Sequence, residues 1–258
     1  MAPYRHEVSF QTADAKGRPV KGGLFLFQWL ENEVQAGSSG FQGLEKSASV
    51  FPMVGKITER IGVFGGSFDP VHIGHLIIAQ DAIEQLELDR LIFVPAAIPP
   101  HKLTHKLVEG RHRFEMLELA TANNLRFEVS DLELARGGVS YTFDTIQHLQ
   151  TEHPGAELFF IIGLDSLVEL HLWRNIDELL EICTVVPFGR GGEDPERVAE
   201  KSQLSKVWKT RLLDRLIRIH EVDVSASEIR MRIAEGLSIQ TLVLPEVEMY
   251  IAEHNLYT

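Results

Sequence analysis

The sequence contains a single cysteine, Cys183, and this scarcity sets a first limit on its chemistry. One thiol excludes an internal disulfide and any zinc site built from several cysteines, and a reducing compartment is the natural setting. Apolar runs long enough to span a membrane as a helix are also missing. The N-terminus lacks the basic, apolar and small-residue order of a signal peptide. We therefore expect a cytoplasmic protein.

Positive charge is scarce as well, since 25 Lys and Arg residues stand against 37 Asp and Glu residues and the formal net charge is -12. A general nucleic-acid binder gains its phosphate affinity from an excess of Lys and Arg, so the charge argues against this class. Any anionic substrate must instead be held by a few local basic groups. With 258 residues and 44% hydrophobic content, the chain has ample material for a core.

Residues 1–57 differ in composition from the rest of the chain. They are rich in glycine, they contain the cluster Gly37–Gly40, and only Leu24–Leu30 is strongly apolar. We predict a poorly ordered N-terminal extension there and a single domain over residues 58–258. Met53 lies just upstream of the first predicted strand, so a start codon placed too early is an alternative source of part of this segment.

From residue 58 onward, apolar strand-like runs alternate with segments of helical periodicity. This alternation predicts an α/β fold, a doubly wound, Rossmann-like parallel sheet with helices on both faces. Ser140 precedes a predicted helix from Tyr141 to about Gln150, in the position of an N-cap. Later helices are predicted beyond Asp165, from about Val224 and after Pro245. The predicted strands are Ile61–Phe64, Leu91–Val94, Arg126–Val129, Leu158–Gly163, Cys183–Pro187 and Ile217–Ile219.

The segment Gly65–His75 places a glycine pair, Asp-Pro and His-x-Gly-His between the first strand and the first helix. Glycines let the backbone approach a ligand, and the free N–H groups of a helix start attract phosphate. His72 and His75 share one face of the first helical turn. We predict a phosphate cradle in which both histidines stabilise negative charge. The alternatives are an ordinary tight turn and histidines that cap the helix or face the core, whereas zinc ligation is disfavoured.

Further candidates follow other predicted strands, where a doubly wound sheet binds its ligands. Lys102 is either a phosphate clamp on a loop or a solvated lysine. Asp165 suits a carboxylate that accepts two ribose hydroxyls, with an N-cap as the alternative. Trp173 either packs in the core or stacks on a planar ring.

The segment Ser225–Arg230 resembles a capped helix start, with Ser227 keeping a hydroxyl at the capping position. An Arg in a first helical turn opposes the helix dipole, so Arg230 is better explained if an anion binds there. Three more basic residues precede or begin another predicted helix: Arg111, His112 and Arg113. We expect them to be surface charges. The alternative is that one of the three reaches the substrate.

These motifs support a family resemblance. The turn Gly65–His75 resembles the signature of the nucleotidyltransferases that carry His-x-Gly-His. Ser225–Arg230 is similar to their second signature, Ile-Ser-Ser-Thr-x-x-Arg, with Val224, Ala226 and Ser227 in place of Ile, the second Ser and Thr. Five further segments, within a resemblance that spans residues 60–258, are similar to the bacterial nicotinate mononucleotide adenylyltransferases: Pro99–Lys102, Ser140–Thr142, Ile161–Leu167, Leu172–Arg174 and Leu244–Tyr257.

The resemblance implies an enzyme that transfers the adenylyl group of ATP to nicotinate mononucleotide, giving deamido-NAD and pyrophosphate. It implies in-line attack without a covalent intermediate, and Mg²⁺ held by the substrate phosphates rather than by a metal site of the protein. The catalytic residues it implies are His72, His75, Lys102 and Arg230.

The resemblance also assigns residues to the two substrates. Backbone N–H groups at Thr142 and Arg174 would meet the pyridine carboxylate, which favours the acid over the amide because an amide leaves one donor unmatched. The residues implied for nicotinate mononucleotide are Ser67, Lys102, Thr142, Trp173 and Arg174. Those implied for ATP are Gly65, Gly66, Ser67, Phe68, His72, His75, Asp165, Ser225, Ser227 and Arg230.

Other functions remain open at this point. The nearest are adenylyltransferases acting on phosphopantetheine or on nicotinamide mononucleotide. A class I aminoacyl-tRNA synthetase also uses His-x-Gly-His, but the acidic charge, the short chain and the missing Lys-Met-Ser-Lys-Ser loop count against it. A non-catalytic nucleotide-sensing module is the alternative of a different class. The expected partners are the two small-molecule substrates and, as one possibility, further copies of the chain.

Overall fold

A computed structural model describes residues 58–100, 107–189, 194–220 and 222–258 of the chain. The predicted extension over residues 1–57 lies outside the described residues, and so do His101 and Lys102 of the predicted loop clamp.

The described residues form a parallel sheet of six strands. The order across the sheet is β3-β2-β1-β4-β5-β6, and every neighbouring pair is parallel. Strand order therefore reverses between β1 and β4, which is where a doubly wound sheet opens a crevice at the carboxyl ends of its strands. The predicted α/β class and doubly wound sheet are confirmed. The strands are β1 (Arg60–Gly66), β2 (Arg90–Pro95), β3 (Phe127–Val129), β4 (Glu157–Gly163), β5 (Thr184–Gly189) and β6 (Ile217–Arg218).

Helices cover both faces of this sheet. Two short 3₁₀ helices, Leu164–Leu167 and Leu170–Leu172, replace the helix that was predicted beyond Asp165, so that prediction is wrong in type. None of the helices in the described part of the chain is long and apolar enough to cross a membrane. The α-helices are α1 (Ile73–Gln85), α2 (Gly110–Thr121), α3 (Leu132–Arg136), α4 (Thr142–Glu152), α5 (Ile176–Ile182), α6 (Pro195–Lys201), α7 (Lys206–Asp214), α8 (Ala226–Ala234) and α9 (Pro245–Glu253).

The four central strands, β2, β1, β4 and β5, are buried on both faces, and the side chains on these faces form two hydrophobic cores. In β2, Leu91 and Phe93 pack into one core while Ile92 and Val94 pack into the other. Because successive side chains of a strand point to opposite faces, a strand covered on both sides reads as a continuous apolar run. Each such side chain contributes roughly 1.5–3 kcal/mol when fully buried, so these runs fix the sheet and the positions of its carboxyl ends.

The prediction that Ser140 caps a helix is wrong. Tyr141 occupies the N-cap position of α4. The Ser140 hydroxyl instead accepts a hydrogen bond from the Ala97 N–H at 2.9 Å, and the Ser140 N–H donates to the Ile98 carbonyl at 2.9 Å. The loop after β2 needs partners for its backbone groups, and Ser140 supplies them. This pairing joins the end of β2 to the start of α4.

Candidate active site

The glycine turn, Gly65–His75, includes the last two residues of β1 and the first residues of α1, and a strained but well-packed phenylalanine holds it. Phe68 has a φ angle of 47°, in the left-handed region that bulky residues disfavour. Its ring is 2% exposed and packs edge-on against Phe64 and His75, at centroid distances of 5.6 and 4.9 Å. Burial of the ring offsets the cost of this backbone conformation. A Cβ on Gly66 would lie 3.0 Å from the Phe68 ring, so glycine lets the ring fold beneath the turn.

The two signature histidines are brought together at the start of α1. Their ring centroids lie 3.7 Å apart, and the His72 N–H donates to Nδ1 of His75 at 3.2 Å. Because Nδ1 accepts, the hydrogen of the neutral His75 ring is on Nε2, which can donate to a ligand. A Cβ on Gly74 would come within 3.0 Å of the His72 ring, which explains the glycine of the motif.

The second signature contacts the glycine turn directly. Arg230 donates through Nη1 to the Asp69 carbonyl at 2.7 Å and through Nη2 to the Ser227 hydroxyl at 3.2 Å. The N-cap of α8 is Ser225, whose hydroxyl accepts from the Glu228 N–H at 3.1 Å, so the capping position expected for Ser227 is wrong. The two helix starts and Arg230 thus form one group of anion-binding donors.

A network of buried polar side chains contacts the glycine turn. This network was not predicted from the sequence. Arg113 is 2% exposed and donates to the carbonyls of Ser67 and Val108 at 2.8 and 2.9 Å, so the expectation of a surface charge is wrong. Asp69 is 4% exposed and accepts from the Tyr257 hydroxyl at 2.8 Å. Burial lowers the pKa of the Arg113 guanidinium, an effect that Asp69 opposes. Burial, reinforced by Asp69, raises the pKa of the Tyr257 phenol.

Two clefts open at the carboxyl edge of the sheet, and they share the glycine turn. The α8 cleft, lined by Ser225–Ser227 and Arg230 at the start of α8, has a volume of about 580 Å³. The α4 cleft, lined by Thr142 at the start of α4 and by Trp173, has a volume of about 370 Å³. Residues common to both walls are Phe64, Gly65, Gly66, Ser67 and Phe188.

The side chains that line the α8 cleft fall into a polar group, its polar wall, and an apolar group, its apolar wall. The polar wall carries imidazole, hydroxyl and guanidinium groups next to two helix N-termini, which is a setting for phosphate. Apolar side chains that line the same cleft can cover a flat ring. The polar wall contains His72, His75, Ser225, Ser227 and Arg230, and the apolar wall contains Ile78, Phe188, Ile219, Val222 and Val224.

The α4 cleft collects the three residues predicted for the pyridine ring. Thr142 is the first residue of α4, where a backbone N–H has no partner within the helix. Trp173 is half-buried and packs edge-on against Phe160 at a centroid distance of 6.1 Å, so it faces both the core and the cleft. Arg174 donates to the Asp144 carboxylate at 2.9 Å and lies 4.9 Å over the Tyr141 ring.

Asp165 is placed differently from the other predicted residues. It follows β4 at the correct edge of the sheet, but its side chain is exposed and accepts from the Ser166 N–H at 3.0 Å. It is not among the residues that line the α8 cleft or the α4 cleft. Its role toward ribose stays a prediction, as does the role of Lys102 outside the described residues.

Two buried carboxylates near the clefts were also missed by the sequence analysis. Glu133 lines the α4 cleft and accepts from the Thr145 hydroxyl at 2.6 Å. Asp81 in α1 binds His220, which lines the α8 cleft. A carboxylate among apolar helix positions is the signal that could have singled out Asp81, because such a group is rarely buried without a partner.

A parallel sheet with phosphate donors at its switch point is typical of nucleotide-binding enzymes. The sequence pattern of the cytidylyltransferase-like family matches residues 63–232, and the chain belongs to this family. Within it, the chain belongs with the bacterial nicotinate-nucleotide adenylyltransferases, as the signatures predicted. It is 43% identical over 199 residues to a probable nicotinate-nucleotide adenylyltransferase of Shouchella clausii, covering 77% of this chain and 97% of the relative.

A second relative supports the family, and a solved structure supports the fold. A probable nicotinate-nucleotide adenylyltransferase of Clostridium tetani is 37% identical over 200 residues, covering 77% of this chain and 99% of the relative. The structure is similar to that of Plasmodium falciparum nicotinic acid mononucleotide adenylyltransferase complexed with NaAD, with a TM-score of 0.61 and 23% identity. That match covers 77% of this chain and 97% of the other, and it supports the fold.

Proposed function

We propose that the protein is a nucleotidyltransferase that moves the adenylyl group of ATP to nicotinate mononucleotide, giving deamido-NAD and pyrophosphate in NAD biosynthesis. The main support is the pair of clefts that meet at the glycine turn. One is equipped for phosphates and a base, and the other for a flat ring at a helix N-terminus. A reaction that joins two nucleotides needs this arrangement, because both must reach one phosphorus atom.

ATP binds in the α8 cleft under this proposal. Arg230 and the N–H groups at the start of α8 hold the β- and γ-phosphates, while Gly65–Phe68 and His72 hold the phosphates along the turn. His75 donates from Nε2 to the α-phosphate, where negative charge changes most in the transition state. Asp165, which follows β4 outside the lining of the cleft, is assigned to the ribose hydroxyls, and Ser225 and Ser227 support the phosphates.

Nicotinate mononucleotide binds in the α4 cleft, with Trp173 stacking on its pyridine ring. Backbone N–H groups at Thr142 and Arg174 meet the ring carboxylate, and Ser67 and Lys102 hold the phosphate at the turn. A carboxylate accepts from both N–H groups, whereas an amide must turn an NH₂ toward one of them. This mismatch gives the preference for the acid.

The proposed reaction forms no covalent bond between the protein and a substrate. A phosphate oxygen of the mononucleotide attacks the α-phosphorus of ATP in line. The bond between this phosphorus and the oxygen that bridges it to the β-phosphorus breaks, and pyrophosphate leaves with both electrons of that bond. The phosphate nucleophile is already anionic near neutral pH, so no strong general base is required. Positioning and charge stabilisation supply most of the rate enhancement.

A divalent metal accompanies the nucleoside triphosphate in this enzyme class, and we assign it as Mg²⁺ bound to the substrate phosphates. The side chains lining the polar wall of the α8 cleft are mainly donors, which suit anions rather than a resident cation. In the part of the chain that the structure describes, three or more His, Cys, Asp or Glu side chains do not come together as a metal site. The ion is assigned to the MgATP substrate, whose phosphates hold it.

A side-by-side assay of three acceptors tests this function. Purified protein with MgATP is given nicotinate mononucleotide, nicotinamide mononucleotide or phosphopantetheine, and pyrophosphate release is measured. We expect turnover with the acid mononucleotide at a kcat/KM about 100-fold above that of the amide. Turnover with only one of the other acceptors would assign a different substrate. Binding of ATP without turnover of any acceptor would identify a nucleotide-sensing module instead.

Cytoplasmic location and self-association belong to the same proposal. Cell fractionation tests the first, and light scattering of the purified protein tests the second. Both measurements are independent of the acceptor assay.

A further inference from the structure

A histidine outside both signatures lies in the α8 cleft. His220 follows β6 at the carboxyl edge of the sheet and lines the cleft. Asp81 of α1 holds it twice, since one carboxylate oxygen accepts from the His220 N–H at 2.8 Å and the other lies 2.7 Å from Nδ1. The Asp81 side chain is 6% exposed, whereas that of His220 is 79% exposed. The imidazole is thus anchored on its buried side and open on the other.

The contact with Asp81 determines which ring nitrogen of His220 donates a hydrogen bond and which accepts one. An ionised carboxylate can only accept, so Nδ1 of His220 carries the hydrogen that points at Asp81. In the neutral ring, Nε2 is then an acceptor with a free lone pair. His75 has the opposite arrangement, because its Nδ1 accepts from a backbone N–H and its Nε2 donates. The same cleft therefore presents one imidazole donor and one imidazole acceptor.

The position of His220 indicates which part of a nucleotide it would meet. Its neighbours Ile219 and Val222 belong to the apolar wall, together with Val224 and Phe188. Apolar surfaces of this kind bind the faces of a purine, while the imidazole, hydroxyl and guanidinium groups of the same cleft suit phosphates. An acceptor next to apolar side chains suits a hydrogen-bond donor on the rim of the base.

We propose that His220 reads the base of the nucleoside triphosphate, with Nε2 accepting from the 6-amino group of adenine and Asp81 fixing the tautomer. A base with an oxo group at that position presents an acceptor to an acceptor, and it leaves both without a partner. This inference rests on the proposed function, because it assumes that the triphosphate occupies the α8 cleft.

The test compares ATP with the triphosphate of purine riboside, which lacks the 6-amino group. In His220→Ala, kcat/KM for ATP should fall about 5- to 10-fold, while kcat/KM for the purine riboside triphosphate stays within about 2-fold of the unmodified protein. The KM for nicotinate mononucleotide should not change. Equal losses with both triphosphates would overturn the proposal, since they would mean that His220 serves the phosphates or the fold.

Asp81→Asn tests the tautomer separately. The introduced amide keeps an oxygen for the His220 N–H, and its NH₂ donates to Nδ1, which moves the ring hydrogen to Nε2. The ratio of kcat/KM for ATP over inosine triphosphate, which has an oxo group, should fall at least about 10-fold. An unchanged ratio in a folded Asp81→Asn protein would also count against the proposal. If this variant does not fold, the His220→Ala comparison decides alone.

Two controls separate this inference from the proposed function. His148→Ala removes another exposed histidine paired with a carboxylate, Glu152 at 3.2 Å, that lines neither cleft, and it should leave every ratio unchanged. If the unmodified protein does not adenylylate nicotinate mononucleotide, the proposed function fails, and calorimetric binding of the two triphosphates to the unmodified protein and to His220→Ala then tests the base contact on its own. Tighter binding of ATP that His220→Ala abolishes would support it, and equal binding of both would overturn it.

Discussion

The α8 cleft and the α4 cleft offer different kinds of groups to a ligand. In the α8 cleft these groups are side chains held by other groups: Arg230 by the Asp69 carbonyl, His75 by the His72 N–H and His220 by Asp81. In the α4 cleft they are an aromatic face and a helix N-terminus, at Trp173 and Thr142.

The difference follows from the charge of what each cleft is proposed to bind. A triphosphate has several negative charges, and fixed cationic or donor side chains are needed to replace its water. A pyridine ring has one small charged group, which two backbone donors can satisfy, and the remainder is matched by shape. Side-chain substitutions should therefore affect ATP through many residues and the mononucleotide through few.

His75→Ala should have the largest effect, because it removes the donor proposed to contact the α-phosphate, the group at which the two substrates react. We expect kcat to fall about 10³-fold, since a donor to the transition state contributes little to ground-state binding. Calorimetry should still detect both substrates in their clefts, and the melting temperature should stay within a few degrees. Loss of nicotinate mononucleotide binding would show that the clefts are not separable at the turn.

Much of this fold was predictable because its signals are local. Strands covered on both faces give continuous apolar runs, and β4 was found in this way. Helices α6 and α7 were missed because few of their side chains are buried, Ala199 in α6 and Leu212 in α7, and so they have little apolar periodicity. The 3₁₀ turns before Trp173 have a helical composition but too few residues for an α-helix.

The candidate site was predictable only where its residues are close in sequence. Gly65–His75 and Ser225–Arg230 are each a single short segment at a helix start. The network beneath the turn joins Asp69 to Tyr257, 188 residues away, which no local pattern reveals. One signal was available for Arg113, because it shares the buried stripe of α2 with Met116 and Leu117.

Arg230→Gln tests whether a side chain of the α8 cleft acts on ATP alone. It removes the charge proposed to hold the outer phosphates and keeps a polar hydrogen-bonding side chain at this position. We expect KM for ATP to rise about 10- to 100-fold, with KM for nicotinate mononucleotide within about 2-fold. Steady-state kinetics with each substrate varied in turn measures both. Equal changes in the two KM values would mean that Arg230 acts on the shared turn instead of on ATP.

Trp173→Ala is the corresponding test in the α4 cleft, where it removes the aromatic face proposed for nicotinate mononucleotide. Loss of a stacking face should raise KM for nicotinate mononucleotide about 10-fold and leave KM for ATP unchanged. Trp173→Phe keeps an aromatic face and should recover most of the affinity. Because Trp173 also packs against Phe160, the melting temperature of each variant is measured alongside. If the Ala variant melts lower but binds the mononucleotide normally, Trp173 is a core residue only.

Tyr257→Phe should have the smallest effect and should not distinguish the clefts, because Tyr257 supports their shared turn through Asp69. Removing the hydroxyl should lower the free energy of unfolding at pH 7 by about 1–2 kcal/mol. The pKa of Tyr257 is raised in the folded protein, so the stability that this phenol provides is fully present below its ordinary pKa of about 10 and is lost as the pH rises above it. The gap between the two proteins should therefore narrow from pH 9 to pH 11 in urea titrations, while both KM values at pH 7.5 stay within about 2-fold. A gap that stays constant over this range would show that the Tyr257 hydroxyl does not hold Asp69 in solution.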